Sequence, residues 1–248
     1  MSFLTINNVT YSYQGQNVII DRVNWEMKKG EFHCLLGKSG CGKTTLLKLA
    51  SGLLQSDTGN IQLQGKQVTE PSHECGFVFQ SPTLLEWKTV IDNVLLPISL
   101  RRKVTLSDRE HAAQLLELVG LSSQFERYPL QLSGGQQSRV ALARALIQKP
   151  SMLFLDEPFA ALDAITREEL QDDVLRICNL QNTTVLFITH DISEAVYLSD
   201  RVAVMEKGKI IYASDVKLTK PRTFKTRYDA GFNELCLQIR QVMSGGQP

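Results

Sequence analysis

The run Gly37-Lys38-Ser39-Gly40-Cys41-Gly42-Lys43-Thr44 constrains this chain more than any other stretch. It fits the spacing G-x-x-x-x-G-K-[ST]. An apolar segment, Phe32–Leu36, precedes it, and a helical pattern over residues 43–53 follows. A buried strand that turns through glycines into a helix start brings backbone N–H groups to one point. Glycine lets the main chain wrap round a triphosphate where a Cβ would obstruct it. Consecutive N–H groups form an anion nest, and the following helix aims its positive N-terminus at the same place. Lys43 supplies a mobile charge for β- and γ-phosphates, and Thr44 a hard hydroxyl oxygen suited to Mg²⁺. Cys41 fits a slot sized for serine or alanine, where alkylation is expected to block the phosphates.

The rest of the chain reads as short apolar strands alternating with helices, the pattern of an α/β fold with a mainly parallel sheet. Strands are expected at residues 32–36, 77–79, 152–155, 185–189, 202–205 and 210–212. The opening segment, with Val9, Tyr11 and Tyr13, reads as an antiparallel edge. From about Thr83 to Lys149 the strand signal fades and helices dominate. Capping boxes are expected at Ser107 to Glu110 and at Thr166 to Glu169. The first starts a helix with Ala112, Leu115, Leu116 and Val119 on one face, stopped by Gly120. The second starts one with Leu170, Val174 and Ile177 on one side. Phe232, Leu235, Ile239 and Val242 predict a last helix, ahead of an irregular tail at residues 244–248.

At 248 residues and 43% apolar composition, the chain suits one core with an inserted subdomain. A net charge of +1 provides no field that draws the whole molecule to nucleic acid or anionic lipid. Five scattered cysteines with no C-x-x-C pair argue against a disulfide framework or zinc knuckle and for a reducing compartment. The first residues lack the basic start and apolar run of a signal peptide. No apolar run approaches the about 20 residues needed to span a bilayer.

Leu132-Ser133-Gly134-Gly135-Gln136 is a second helix start able to bind an anion, ahead of a helix expected over 136–146. With this segment the sequence resembles the ABC ATPase family over nearly its whole length. The resemblance implies a P-loop NTPase core with a mainly parallel sheet, an N-terminal antiparallel β subdomain and an inserted α-helical subdomain. The ATPase domain would span 2–228, with core segments 2–82 and 150–228 and the insertion at about 83–149, followed by a helix and tail at 229–248. It also implies a head-to-tail homodimer. There Ser133, Gly134, Gly135 and Gln136 of one copy close over the γ-phosphate held by the P-loop of the other. Family members often carry Arg and Gln where this chain has Gln137 and Ser138, which leaves the contacts of that first helical turn open.

Met152-Leu-Phe-Leu-Asp156-Glu157 is an apolar strand ending in two acids, resembling a Walker B segment. Asp156 is expected to hold Mg²⁺ through water, and Glu157 to orient and deprotonate the attacking water. By the same resemblance, Gln80 touches Mg²⁺ or that water, Asp163 makes a contact across the dimer, and His190 bonds the γ-phosphate. Thr45 touches the α-phosphate, and Tyr13, with Tyr11 as the other candidate, stacks on adenine. The cofactors implied are ATP and Mg²⁺.

Glu157-Pro-Phe-Ala-Ala-Leu-Asp163 resembles importer subunits, most closely the nitrate, sulfonate and taurine group that includes thiamine-precursor systems. The partners implied are a second ATPase subunit, two transmembrane permease subunits and a periplasmic or lipoprotein solute-binding protein, with no nucleic acid. Such a subunit lies peripherally on the cytoplasmic face of the inner membrane. An exporter or lipoprotein-releasing ATPase, and a non-transport ATPase acting on nucleic acid or ribosomes, are the alternative classes. Leu85 and Trp87 either line a permease-docking groove or pack within the helical segment. An ATPase subunit does not bind the cargo, so its sequence does not name it.

Overall fold

Short strands, several of them buried along their whole length, alternate along the chain with helices that bury one apolar face. The computed structural model describes residues 2–15, 17–160 and 162–246. In chain order the strands and helices are β1 (Leu4–Ser12), β2 (Val18–Met27), β3 (Phe32–Leu36), α1 (Lys43–Ala50), β4 (Thr58–Leu63), β5 (Lys66–Gln67), β6 (Cys75–Val78), α2 (Val90–Ser99), α3 (Leu106–Leu118), α4 (Gly134–Leu146), β7 (Met152–Asp156), α5 (Ala164–Gln181), β8 (Thr184–Thr189), α6 (Ile192–Leu198), β9 (Arg201–Glu206), β10 (Lys209–Asp215) and α7 (Ala230–Met243). They group into two units. The first holds the residues up to Ser72 and those from Thr184 onward, and the second holds His73–Thr183. The second contains the helix-rich segment 83–149 together with β6, β7 and α5. Gln247 and Pro248 of the tail lie outside the described residues, as does Ala161 between Glu157 and Asp163.

In the first unit, β1 pairs antiparallel with β2 and β4, and β5 extends β4, in the order β2-β1-β4-β5. Leu4, Ile6 and Val9 of β1 are buried, with the register shifting after Ile6 where Asn8 takes a φ of 48°. β3 lies between β8 and β9, parallel to both, and β10 folds back antiparallel on β9. Every residue of β3 and β8 is buried. Strands covered on both faces read as near-continuous apolar runs, interrupted here only by His33 in β3 and the terminal Thr184 and Thr189 of β8, which is why these two were legible. α1 ends at Ala50, short of the expected residue 53. Gly52 has φ 78°, and a Cβ there would lie 2.4 Å from the Glu70 carbonyl oxygen. A left-handed glycine at that point terminates the helix. In α7, Phe232, Ile239 and Val242 are buried and Leu235 is half-buried.

In the second unit, β6 and β7 are parallel and in register from Cys75↔Met152 to Val78↔Leu155. β6 starts before the expected strand and ends before Phe79, whose ring packs on Phe77 at 4.3 Å. Both expected capping boxes are corrected. α3 is capped by Thr105: its Oγ1 accepts the Asp108 N–H at 3.3 Å and the Asp108 carboxylate accepts the Thr105 N–H at 2.8 Å. Arg102 grips both oxygens of that carboxylate, so Ser107 is already inside the helix. α5 is capped by Asp163, whose Oδ1 accepts the Thr166 N–H at 3.1 Å, which places Thr166 in its first turn. α4 begins at Gly134, ahead of the expected residue 136. Among the described residues no helix is long and apolar enough to cross a membrane.

Asn93 on α2 is fully buried and latches the segment before that helix. Its Nδ2 donates to the carbonyls of Leu85, Lys88 and Thr89 at 3.0–3.1 Å, and its Oδ1 accepts the Leu85 N–H at 2.8 Å. Replacing it with an apolar residue of similar size removes the partners of the Leu85 N–H and the Lys88 carbonyl, whereas the Leu85 and Thr89 carbonyls keep the Lys88 and Asn93 N–H groups. Asn93→Leu is therefore expected to lower the unfolding free energy by about 2–3 kcal/mol, read by denaturant titration. A change within about 0.5 kcal/mol would show that water or rearranged backbone satisfies those groups.

Candidate nucleotide-binding and hydrolytic residues

β3 runs directly into the glycine loop, and α1 leaves it at Lys43. Two of the glycines are demanded by space. A Cβ on Gly37 would lie 2.4 Å from the Met205 carbonyl oxygen and 2.6 Å from Cys41 Sγ. Gly42 combines a φ of 109° with a Cβ position 2.9 Å from the Ile19 carbonyl oxygen. The loop is also tied to the β9–β10 turn, where the Gly208 N–H donates to the Cys41 carbonyl at 3.0 Å. Lys43 is 6% exposed. Its Nζ donates to the carbonyls of Gly37 at 2.8 Å and Lys38 at 3.2 Å, so its charge is held on the loop itself. Lys38, Ser39 and Gly40 are exposed and Thr44 is half-buried, whereas the Cys41 thiol is buried beneath Gly37.

Tyr13 and Thr45, far apart in sequence, are brought together: the Tyr13 hydroxyl lies 3.5 Å from Thr45 Oγ1. Tyr11 meets the Tyr13 ring edge-on at 5.0 Å. Tyr13 is thus the one of the two that reaches the start of α1. His190 is exposed, directly after β8. Its turn is braced by Thr189 Oγ1, which donates to Glu194 Oε2 at 2.6 Å and accepts the Asp191 N–H at 3.1 Å. Asp191 caps α6 through the N–H groups of Ser193 and Glu194.

In the second unit the parallel pairing of β6 and β7 places the two segments after them side by side. Gln80 Nε2 donates to Glu157 Oε2 at 3.3 Å. Asp156, the last residue of β7, is 4% exposed. Glu157 takes a φ of 48° immediately before Pro158, a backbone state that costs a non-glycine residue about 1–3 kcal/mol and tends to mark functional turns.

The signature segment, Leu132-Ser133-Gly134-Gly135-Gln136, forms a capped helix start. Ser133 Oγ accepts the Gln136 N–H at 3.3 Å, and Gln136 Oε1 accepts the Ser133 N–H at 3.0 Å. The open contacts of the first turn resolve locally. Gln137 Nε2 donates to the Pro129 and Leu132 carbonyls, and Ser138 Oγ donates to the Gly134 carbonyl. Residues 133–136 share a cavity of about 500 Å³ with Leu162, Asp163 and Thr166. Asp163 therefore stands beside the signature as the α5 cap, and the bonds it accepts from Thr166 hold its carboxyl below the usual carboxylate range. The sequence reading did not assign Arg139, which lines the same cavity. Helical spacing from Gly135 to Arg139 carried that signal. It also missed Arg144, whose guanidinium donates to the Pro82 and Thr83 carbonyls just after Gln80.

Among the described residues no cluster of three or more His, Cys, Asp or Glu could hold a metal alone. The Thr44 hydroxyl and the Asp156 carboxylate are each a hard oxygen donor of the kind Mg²⁺ takes.

A family model described as "ABC transporter" matches residues 20–160. The aliphatic sulfonates import ATP-binding protein of Bacillus cereus is 38% identical over 248 residues, covering 98% of this chain and 96% of that protein. The nitrate import ATP-binding protein of Synechococcus elongatus is 48% identical over 197 residues, covering 79% of this chain and 72% of that one. Among solved structures, a dimeric ATP-binding cassette in a post-hydrolysis state with ADP and Pi superposes with a TM-score of 0.79 at 30% identity, covering 86% of this chain and 99% of the other. With the glycine cradle, the signature helix start and the Gln80–Glu157 pair in place, the chain belongs to the ABC transporter family as an ATP-binding, ATP-hydrolysing subunit.

Proposed function

We propose that this chain works as a head-to-tail homodimer that hydrolyses ATP to energise solute import through two separate membrane permease subunits fed by a solute-binding protein. The observation that carries the dimer is the presence of two anion-binding helix starts in one chain, α1 behind the glycine loop and α4 behind Ser133. One triphosphate needs one cradle, so the second serves the nucleotide of another copy. The relatives' names support import. Their cargoes, nitrate and aliphatic sulfonates, are oxyanions, and a solute of that class is the first to test. The subunit sits peripherally on the cytoplasmic face of the membrane.

In this reading the loop N–H groups and Lys43 bind the β- and γ-phosphates, Thr45 the α-phosphate, and Tyr13 the adenine. Thr44 and Asp156 would hold Mg²⁺, which supplies charge neutralisation on the phosphates. Glu157 orients the attacking water and accepts its proton, and Gln80 fixes one carboxylate oxygen so that the other faces the water. His190 donates to the γ-phosphate. Ser133, Gly134 and Gly135 of the second copy, with Gln136 holding their turn and Asp163 beside them, close the site. Little covalent chemistry falls to the protein, whose task is positioning and electrostatics.

For docking, the geometry favours Trp87 over Leu85. Trp87 is 74% exposed, whereas the Leu85 backbone is locked to Asn93. A cavity of about 350 Å³ lined by Phe77, Phe79, Leu96, Pro97, Leu100 and Arg144 lies in the same unit. A cytoplasmic helix of the permease docks against this region.

Glu157→Gln is expected to bind ATP and dimerise while losing about 10²–10⁴ in hydrolysis rate, read by phosphate release and sedimentation. Full turnover in that protein removes Glu157 as the base. Trp87→Cys in the assembled transporter is expected to crosslink to a permease cytoplasmic loop, and an absence of crosslinks at a verified labelled cysteine rejects the docking surface.

A further inference from the structure

Arg139 sits on α4 just beyond the signature turn, with its side chain 13% exposed. Nη1 donates to the Val119 carbonyl at 2.7 Å. Val119 caps the C-terminus of α3, where free carbonyls favour a cation. Nη2 lies 3.9 Å from Glu169 Oε2 on α5. One turn further along α5, burial raises the Asp173 carboxyl while Arg176 and the Arg139 charge draw it down. A Cβ on Gly120 would stand 2.6 Å from Arg139 Nη1, so glycine after α3 makes room for the guanidinium. One side chain thus touches the end of α3, belongs to α4 and faces the first turns of α5. The same side chain lines the cavity formed by the signature turn and Asp163.

We propose that Arg139 is a positioning residue for ATP-driven dimer closure: by tying α3 and α5 to α4, it fixes the spacing between the signature turn and Asp163, the two segments that face the second copy of this chain. The inference rests on the head-to-tail reading above. A guanidinium suits the task because its planar fork serves two directions at once, whereas a lysine ammonium at this position reaches the Val119 carbonyl or the α5 carboxylates but not both. Glu169 is mostly exposed, so the carbonyl bond is the stronger tether and the α5 contact sets direction. Arg139 has no part in capturing nucleotide on the glycine loop, so its loss separates dimer closure from binding by the monomer.

The test uses the full chain in the Glu157→Gln background, with ATP-driven dimerisation read by sedimentation, monomer affinity for a fluorescent ATP analogue by titration, and folding by thermal melting. Arg139→Ala is expected to weaken dimerisation more than about tenfold and Arg139→Lys by about three- to tenfold, both with monomer affinity within about twofold of the parent. Dimerisation within about twofold of the parent in a folded Arg139→Ala protein overturns the proposal. If the alanine variant does not fold, the lysine variant decides by the same criterion. Matched losses of monomer affinity and dimerisation also overturn it, because they assign Arg139 a general structural role. Failure of the Glu157→Gln parent to dimerise with ATP rejects the head-to-tail reading, and this inference with it.

Discussion

The Lys43 ammonium is buried and held by the carbonyl oxygens of its own loop, at 2.8 Å from Gly37 and 3.2 Å from Lys38. A cation removed from water needs such partners, and they exist only if the loop closes tightly on itself. Closure leaves no volume for a side chain at Gly37 and forces Gly42 into the left-handed region. The loop begins at the end of a strand buried over its whole length and is pinned through the Cys41 carbonyl to the β9–β10 turn. The shape of the glycine loop is therefore set by its own contacts and by the strand and turn that flank it.

The second unit applies the same logic to different chemistry. Two parallel strands in register deliver Gln80 and Glu157 as neighbours. The amide donor on one carboxylate oxygen gives the Glu157 side chain a preferred orientation. Arg144 anchors the backbone just beyond Gln80 to α4, so the helix that starts with the signature also braces the segment after Gln80. Asp163 has two duties, helix cap and cavity wall, and its lowered carboxyl keeps it ionised in both.

Much of this was readable from residue order, and the failures have identifiable causes. The glycine loop was legible because each residue type in it answers a separate chemical need. β3 and β8 were legible because burial on both faces leaves a near-continuous apolar run. The helix starts were misplaced because Ser-x-x-Glu and Thr-x-x-Glu also occur within helices, and a better cap, Thr105 or Asp163, stood just upstream. The end of α1 depended on Gly52 meeting the Glu70 carbonyl, a contact between distant residues. The Gln80–Glu157 bond and the reach of Tyr13 to Thr45 depend on strand pairing and packing, which one chain's spacing does not encode. Arg139 was passed over because its partners, Val119 and Glu169, lie on two other helices.

Glu157 is left-handed and followed by proline, so its backbone torsions help set the shape of the turn. β-branched residues are poorly tolerated in that conformation, while unbranched amides and asparagine-like side chains are not. A glutamine at this position keeps those torsions and exchanges one carboxylate oxygen for nitrogen, so charge and backbone shape separate here in a single substitution.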